Sequence, residues 1–229
     1  MKTVKKIFVI TVIAALNLFS ITTCAEAQQS STVEYPYLGS TLNISGEQVW
    51  EHTNSHTISG AYVKSTVNSG VNIDNFAKDR ISAGNIKNGI LSFSVIDPGT
   101  LIEWDNLIKI FYEWNNVTID DNTVKSNVIT LVTDTGGKLE KEKLYGTNTQ
   151  LDLESVIYIY VDKDCKITGE YSEGTESGIR YWYTANILDL SFKKGWNMLC
   201  RREFLDNSGK DAVSMEIKQL VDFRWAIWP

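Results

Sequence analysis

Leu188-Asp189-Leu190-Ser191-Phe192-Lys193-Lys194-Gly195-Trp196-Asn197-Met198-Leu199-Cys200 sets two apolar alternations on either side of a short polar break. A period of two is the signature of a strand with one buried face. With Lys193, Lys194 and Gly195 as a three-residue loop, Gly195 takes the left-handed position of a bulged turn. Phe192 then faces Trp196, Leu190 faces Met198 and Leu188 faces Cys200, with all six side chains on one face. A two-residue loop would set Phe192 against Asn197 and Leu188 against Arg201, so the pattern selects the longer loop.

The same reasoning applies to Asp162-Lys163-Asp164. A three-residue loop there sets Val161 against Cys165, Ile159 against Ile167 and Ile157 against Gly169, again with one apolar face. Asp164 would take the left-handed conformation, which Asp tolerates better than most residues.

Working outward, short runs rich in Val, Ile, Tyr, Phe, Trp and Thr recur with turn residues between them. Candidate strands cover 47–51, 58–66, 90–96, 107–114, 126–133, 155–161, 165–170, 181–192, 196–203, 213–219 and 221–228. Short helices are expected only at 72–81 and in part of 138–145. Many short strands with frequent turns predict an all-β fold. The expected form is an antiparallel β-sandwich with a prealbumin- or immunoglobulin-like first half. A closed lipocalin-like β-barrel is the alternative.

Three stretches also carry a resemblance. They are Gly84-Asn85-Ile86-Lys87-Asn88-Gly89-Ile90-Leu91-Ser92-Phe93-Ser94-Val95, the run from Tyr158 to Gly169 (YIYVDKDCKITG), and the run from Leu188 to Asn197 (LDLSFKKGWN). Together they resemble segments that recur in uncharacterised secreted proteins and lipoproteins of Gram-negative bacteria. The resemblance implies an all-β surface or periplasmic protein and brings no family active site with it.

The N-terminus agrees with export. Lys2, Lys5 and Lys6 precede an apolar run from Ile7 to Ile21, interrupted by Thr11, Asn17 and Ser20. A basic start, a short apolar segment and small residues at a cleavage site make a secretory signal peptide over 1–27. The run is short for a spanning helix, which needs ~20 apolar residues. Ala25-Glu26-Ala27 fits ordinary cleavage before Gln28, the preferred route. Ile21-Thr22-Thr23-Cys24 resembles a lipobox, which would acylate Cys24 and tether the protein to a membrane surface. Residues 28–42 read as a polar leader, and 43–229 as a single β-sandwich domain.

Removing 1–27 takes away three lysines and one glutamate, which moves the formal charge from −6 to −8. An acidic chain is a poor partner for nucleic acid or for an anionic membrane. Membrane association is expected only through a lipid anchor. Cys165 and Cys200 remain as an even pair in an oxidising compartment, and a disulfide between them is expected.

Catalytic patterns are missing from the sequence. It contains no G-x-S-x-G elbow, phosphate-binding loop or zinc-protease motif. His52 and His56 have a spacing that would suit zinc on a helix, but Thr53-Asn54-Ser55 argues for a turn and no third ligand is evident. They read as exposed loop histidines. Asp120-Asp121-Asn122, Asp162 with Asp164, and the run from Asp206 to Asp211 do not match a calcium loop and read as turns. No metal and no cofactor is expected.

The remaining signal is aromatic. Ile157, Ile159 and Val161 are assigned to the core, so Tyr158 and Tyr160 fall on the other face. Leu188, Leu190 and Phe192 likewise place Tyr181 and Tyr183 opposite. These four tyrosines form the candidate ligand face, since exposed aromatic rings stack on sugars or anchor protein partners. The competing reading is structural cross-strand pairing. The function expected from the sequence is that of a non-catalytic surface or periplasmic binding or structural protein, with an unknown glycan or protein partner at the cell envelope. A carbohydrate-binding module or carbohydrate-active enzyme is the alternative.

Overall fold

The structure is a computed structural model that describes residues 37–52, 62–75, 80–104, 117–147, 150–173, 184–205 and 211–228. The regions expected to be signal peptide and lipidation site, 1–27 with Cys24, lie outside them, as does the strand expected at 107–114. Every regular element described is a strand. These are β1 (Tyr37–Gly39), β2 (Leu42–His52), β3 (Tyr62–Lys64), β4 (Ser69–Asn75), β5 (Arg80–Lys87), β6 (Ile90–Val95), β7 (Ile102–Glu103) and β8 (Val117–Ile119). They continue with β9 (Lys125–Thr133), β10 (Lys138–Thr147), β11 (Gln150–Val161), β12 (Cys165–Glu173), β13 (Thr184–Phe192), β14 (Gly195–Leu205), β15 (Asp211–Glu216) and β16 (Arg224–Trp228). The fold is therefore all-β, and the fold begins earlier than residue 43, since β1 lies in the expected leader.

Thirteen strands form one sheet in the order β1-β14-β11-β10-β16-β2-β6-β5-β4-β9-β7, with β15 on β14 and β3 on β2. The sheet is mixed because β16 runs parallel to β2, while its other pairings are antiparallel. β9 pairs β4 along one side and both β10 and β11 along the other, so the ladder returns to β10. The second sheet is antiparallel, in the order β13-β12-β8.

Both expected hairpins are corrected by this pairing. β11 does not pair β12, and β13 does not pair β14. β11 pairs β14 up to Val161 opposite Gly195, and β12 pairs β13 from Cys165 opposite Phe192. Residues 150–173 and 184–205 thus run as one long antiparallel pair, bent where the two breaks meet. The inner half joins the large sheet and the outer half joins the small one. Turn residues report that a strand ends; they do not report whether its flanks pair with each other.

The bend is held by the side chains of the two breaks. Asp164 Oδ1 accepts the Lys194 amide at 2.8 Å, and its Oδ2 accepts Lys193 Nζ at 2.9 Å. These donors hold the Asp164 carboxyl below its ordinary pKa, with the Lys194 amide as the main cause. Asn197 accepts the Lys193 amide at 3.0 Å and donates to the carbonyls of Lys193 and Gly195 at 2.7 and 2.9 Å. Gly195 has φ +113°, as its left-handed assignment requires, and a Cβ there would lie 2.4 Å from the Gly39 carbonyl oxygen.

Two apolar cores occupy opposite faces of the large sheet. Core 1 includes Leu42, Val49, Val71, Ile73, Leu91, Phe93, Leu131, Tyr158, Trp196, Met198 and Trp225. Core 2 is shared by both sheets: Ile159, Val161 and Leu199 meet Cys165, Ile167, Leu190 and Phe192, with Trp104 and Met215. The face assigned to 157–167 from the sequence holds, because Ile159, Val161, Cys165 and Ile167 share core 2. The face assigned to 188–200 does not. The bend moves Leu190 and Phe192 into core 2 and sends Trp196 and Met198 to core 1.

The expected helices are also strands. Residues 72–75 end β4 and 80–81 begin β5, with 76–79 outside the described residues, and 138–145 lie in β10. Lys, Glu and Leu favour helix in isolation, but β10 is ladder-bonded to β16 on one side and to β9 and β11 on the other. Tertiary pairing of this kind routinely overrides local propensity.

Candidate functional site

Tyr158 and Tyr160, the two tyrosines of the expected face that are described, are not on an exposed surface. Tyr158 is 3% exposed and stacks on Trp225, with ring centroids 6.0 Å apart and an interplanar angle of 7°. Tyr160 is half-buried against core 1, edge-on to Trp196 at 5.4 Å. The cause is that β11 lies between two cores, so the face opposite Ile159 and Val161 is also covered. Tyr181 and Tyr183 lie outside the described residues.

The expected disulfide is corrected as well. Cys165 and Cys200 are free, buried thiols. Cys165 belongs to core 2, whereas Cys200 is paired with Val156 and shares the core 1 face with Tyr158 and Met198. With the large sheet between them, the two sulfurs cannot meet the Cβ geometry of a disulfide. Burial pushes each thiol up to about 12. Beside Cys200, Lys218 Nζ bonds Glu154 at 2.5 Å and Glu216 at 2.7 Å.

A different cluster stands out. Glu142 on β10 has no exposed side-chain surface. Its Oε1 accepts the Tyr62 hydroxyl at 2.5 Å and His52 Nε2 at 2.7 Å. Its Oε2 accepts the Trp228 indole N–H at 2.9 Å. The donors come from β3, β2 and β16. Both carboxylate oxygens are therefore engaged, which is what a buried charge requires. Tyr62 is held strongly protonated, first by burial and then by the bond to Glu142.

The rings around this carboxylate form a platform. His52 lies 3.6 Å from the Trp228 ring centroid and 4.6 Å from that of Tyr62. The exposed Arg224 stacks its guanidinium 5.1 Å from the Trp50 centroid and 4.8 Å from Tyr62. Trp50, Tyr62 and Trp228 are half-buried. Strand parity explains the assembly. On β2 and β16 the alternate residues Val49 and Trp225 enter core 1, leaving Trp50, His52, Arg224 and Trp228 on the other face.

His52 is thus a strand residue bound to a carboxylate, not an exposed loop histidine, and His56 lies outside the described residues. The acidic turns serve local backbone groups. Asp120 accepts the Lys166 amide, Asp121 the amide and hydroxyl of Thr123, and Asp162 the Lys125 amide. No group of three or more potential ligands that could hold a metal ion occurs among the described residues. The Asp206–Asp211 run falls largely outside them. No protein-family model matches the chain, and no curated protein or solved structure matches it either.

Proposed function

We propose that the protein is an exported, non-catalytic binding protein of the cell envelope, and that it holds a glycan on the aromatic face around Glu142. The observation that carries this reading is the buried carboxylate that fixes Tyr62, His52 and Trp228 from three strands. Rigid aromatic rings with a polar rim suit sugar recognition: the apolar face of a sugar stacks, and its hydroxyls bond the rim. Arg224 supplies exposed donors beside Trp50 and Tyr62.

Binding is favoured over hydrolysis by the way the acids are used. A glycosidase needs one carboxylic acid and one carboxylate free to face the scissile bond. Both oxygens of Glu142 are taken by protein donors, and Glu140, on the same face of β10, pairs Lys138 at 2.5 Å. The reading extends to the fold. The ladder that returns from β9 to β10 supports a closed, barrel-like ring around core 1, with the small sheet packed outside it over core 2.

The test is a glycan array probed with the purified wild type and with the Trp50→Ala and Arg224→Ala variants. The wild type is expected to retain a defined set of glycans, and each variant to lose at least about tenfold in affinity with its circular dichroism unchanged. A wild type that retains no glycan, or variants that bind as it does, would overturn the reading. Capture of a protein partner through the same residues would replace the ligand class.

A further inference from the structure

Arg224 is used differently from the other described arginines. Arg80 pairs Asp74, Arg201 pairs Glu203 and Arg202 pairs Asp152. Arg224 is exposed and lies over the rings of Trp50 and Tyr62 instead, with no ion pair to a carboxylate among the described residues. The chain has 28 acids against 22 lysines and arginines, so acid partners are not scarce. A guanidinium laid on a ring keeps its five N–H donors along its edge, where a planar carboxylate can accept two of them.

Lys64 brings a second cation to the same face. It is the cross-strand partner of Trp50 on β3, so the two side chains share a face. Lys64 is exposed and forms no ion pair among the described residues. Trp50 is thus flanked by Lys64 from β3 and by Arg224 from β16. The acids of β10 on this face are already bonded within the protein. The Glu142 oxygens accept Tyr62, His52 and Trp228, and Glu140 pairs Lys138 at 2.5 Å.

We propose that the aromatic face takes an acidic sugar, with the sugar ring against the half-buried Trp50 and its carboxylate on the edge of Arg224 and on Lys64. This deepens the glycan reading and rests on it. A neutral sugar would meet the same rings but would leave both cations without a counter-charge. The two parts of the recognition are separable, because salt screens attraction between exposed charges and does not screen ring contact.

The test is titration calorimetry on the purified protein with a galacturonate trisaccharide, a glucuronate trisaccharide and sialyllactose, each beside its methyl ester. The ester keeps the ring and removes the charge. Wild type is expected to bind at least one of the acids about tenfold or more tightly than its ester, with the difference shrinking as salt is added. Arg224→Gln is expected to lose most of that difference and Lys64→Gln about threefold of it, while ester binding stays within about twofold in both. Lys64 touches no ring, so Lys64→Gln keeps the test valid should Arg224→Gln disturb the platform. Acid and ester bound equally, both lost in Trp50→Ala, would overturn the acidic site and leave the glycan reading standing. So would retention of neutral glycans alone on the array. An acid preference that both charge variants keep would overturn the assignment to Arg224 and Lys64. No binding of any acid or ester, with an empty array, would overturn both readings.

Discussion

The Tyr62 hydroxyl donates a 2.5 Å hydrogen bond to Glu142 Oε1, joining β3 to β10 across the two strands that lie between them. Those residues are eighty positions apart in the chain. The carboxylate also holds His52 and Trp228, so its removal strands three donors at once. Glu142→Ala is expected to destabilise the protein by about 3–5 kcal/mol, the usual cost of removing one partner from a buried charged network. Glu142→Gln keeps the shape but turns one acceptor into a donor facing a donor, at a cost of about 1–3 kcal/mol. Urea denaturation measures both, and a Gln variant as stable as the wild type would contradict the network's role.

This cluster was not legible in the sequence, for a physical reason. Alternation assigns a residue to a face, and it did so correctly for Ile159, Val161, Cys165 and Ile167. Alternation does not name the neighbouring strand, so nothing linked Tyr62 and His52 to Glu142 or Trp228. It also cannot tell a bare face from one covered by a second core, so by alternation alone the buried Tyr158 reads as exposed. Asn88-Gly89 shows the opposite case. It closes a two-residue turn between β5 and β6 with φ 51° and 76°, and Asn-Gly is the strongest short-range hairpin signal. That signal is local, and it needs no knowledge of a distant strand.

The two buried thiols give the second prediction. Cys165 and Cys200 are 5% and 1% exposed, Cys165 in the small sheet over core 2 and Cys200 on the core 1 side of the large sheet. Peptide mapping of protein purified without reductant is expected to find both unlinked. Iodoacetamide is expected to leave them unmodified until denaturant is added, because the reactive thiolate is scarce and access is closed. A Cys165–Cys200 cross-linked peptide from folded protein would refute this arrangement.

Gly195 gives the third. Its φ of +113° is a conformation that side chains rarely adopt, and an added Cβ would press on the Gly39 carbonyl. Gly39 is in β1, which pairs β14 at Asn197 and Trp196. Gly195→Ala is expected to cost about 1–3 kcal/mol and to release β1 first. Hydrogen exchange in Tyr37–Gly39 is the direct readout. Unchanged protection there would show that the close approach is not needed to dock the strand.

The last prediction concerns alkaline pH. Burial raises both thiols from 9.0 to about 12. Tyr62 is raised above its ordinary 10.0, and Lys218 above its ordinary 10.5, the latter through its bonds to Glu154 and Glu216 against the opposing effect of burial. In each case the folded state keeps a proton that the unfolded chain gives up. The sign is therefore common to all four: their contributions are constant below pH 9 and fall as pH rises. Between about pH 9 and 12 the two thiols together steepen the loss by up to about 2.7 kcal/mol per pH unit. Tyr62 and Lys218 add to the fall from about pH 10. Stability from urea denaturation is expected to be level from pH 7 to 8.5 and to drop steeply beyond 9.5. The Cys165→Ala, Cys200→Ala double variant, though less stable throughout, is expected to show a shallower slope between pH 9 and 10. A wild type and double variant with parallel profiles across that interval would mean that the thiols are not held protonated by the fold.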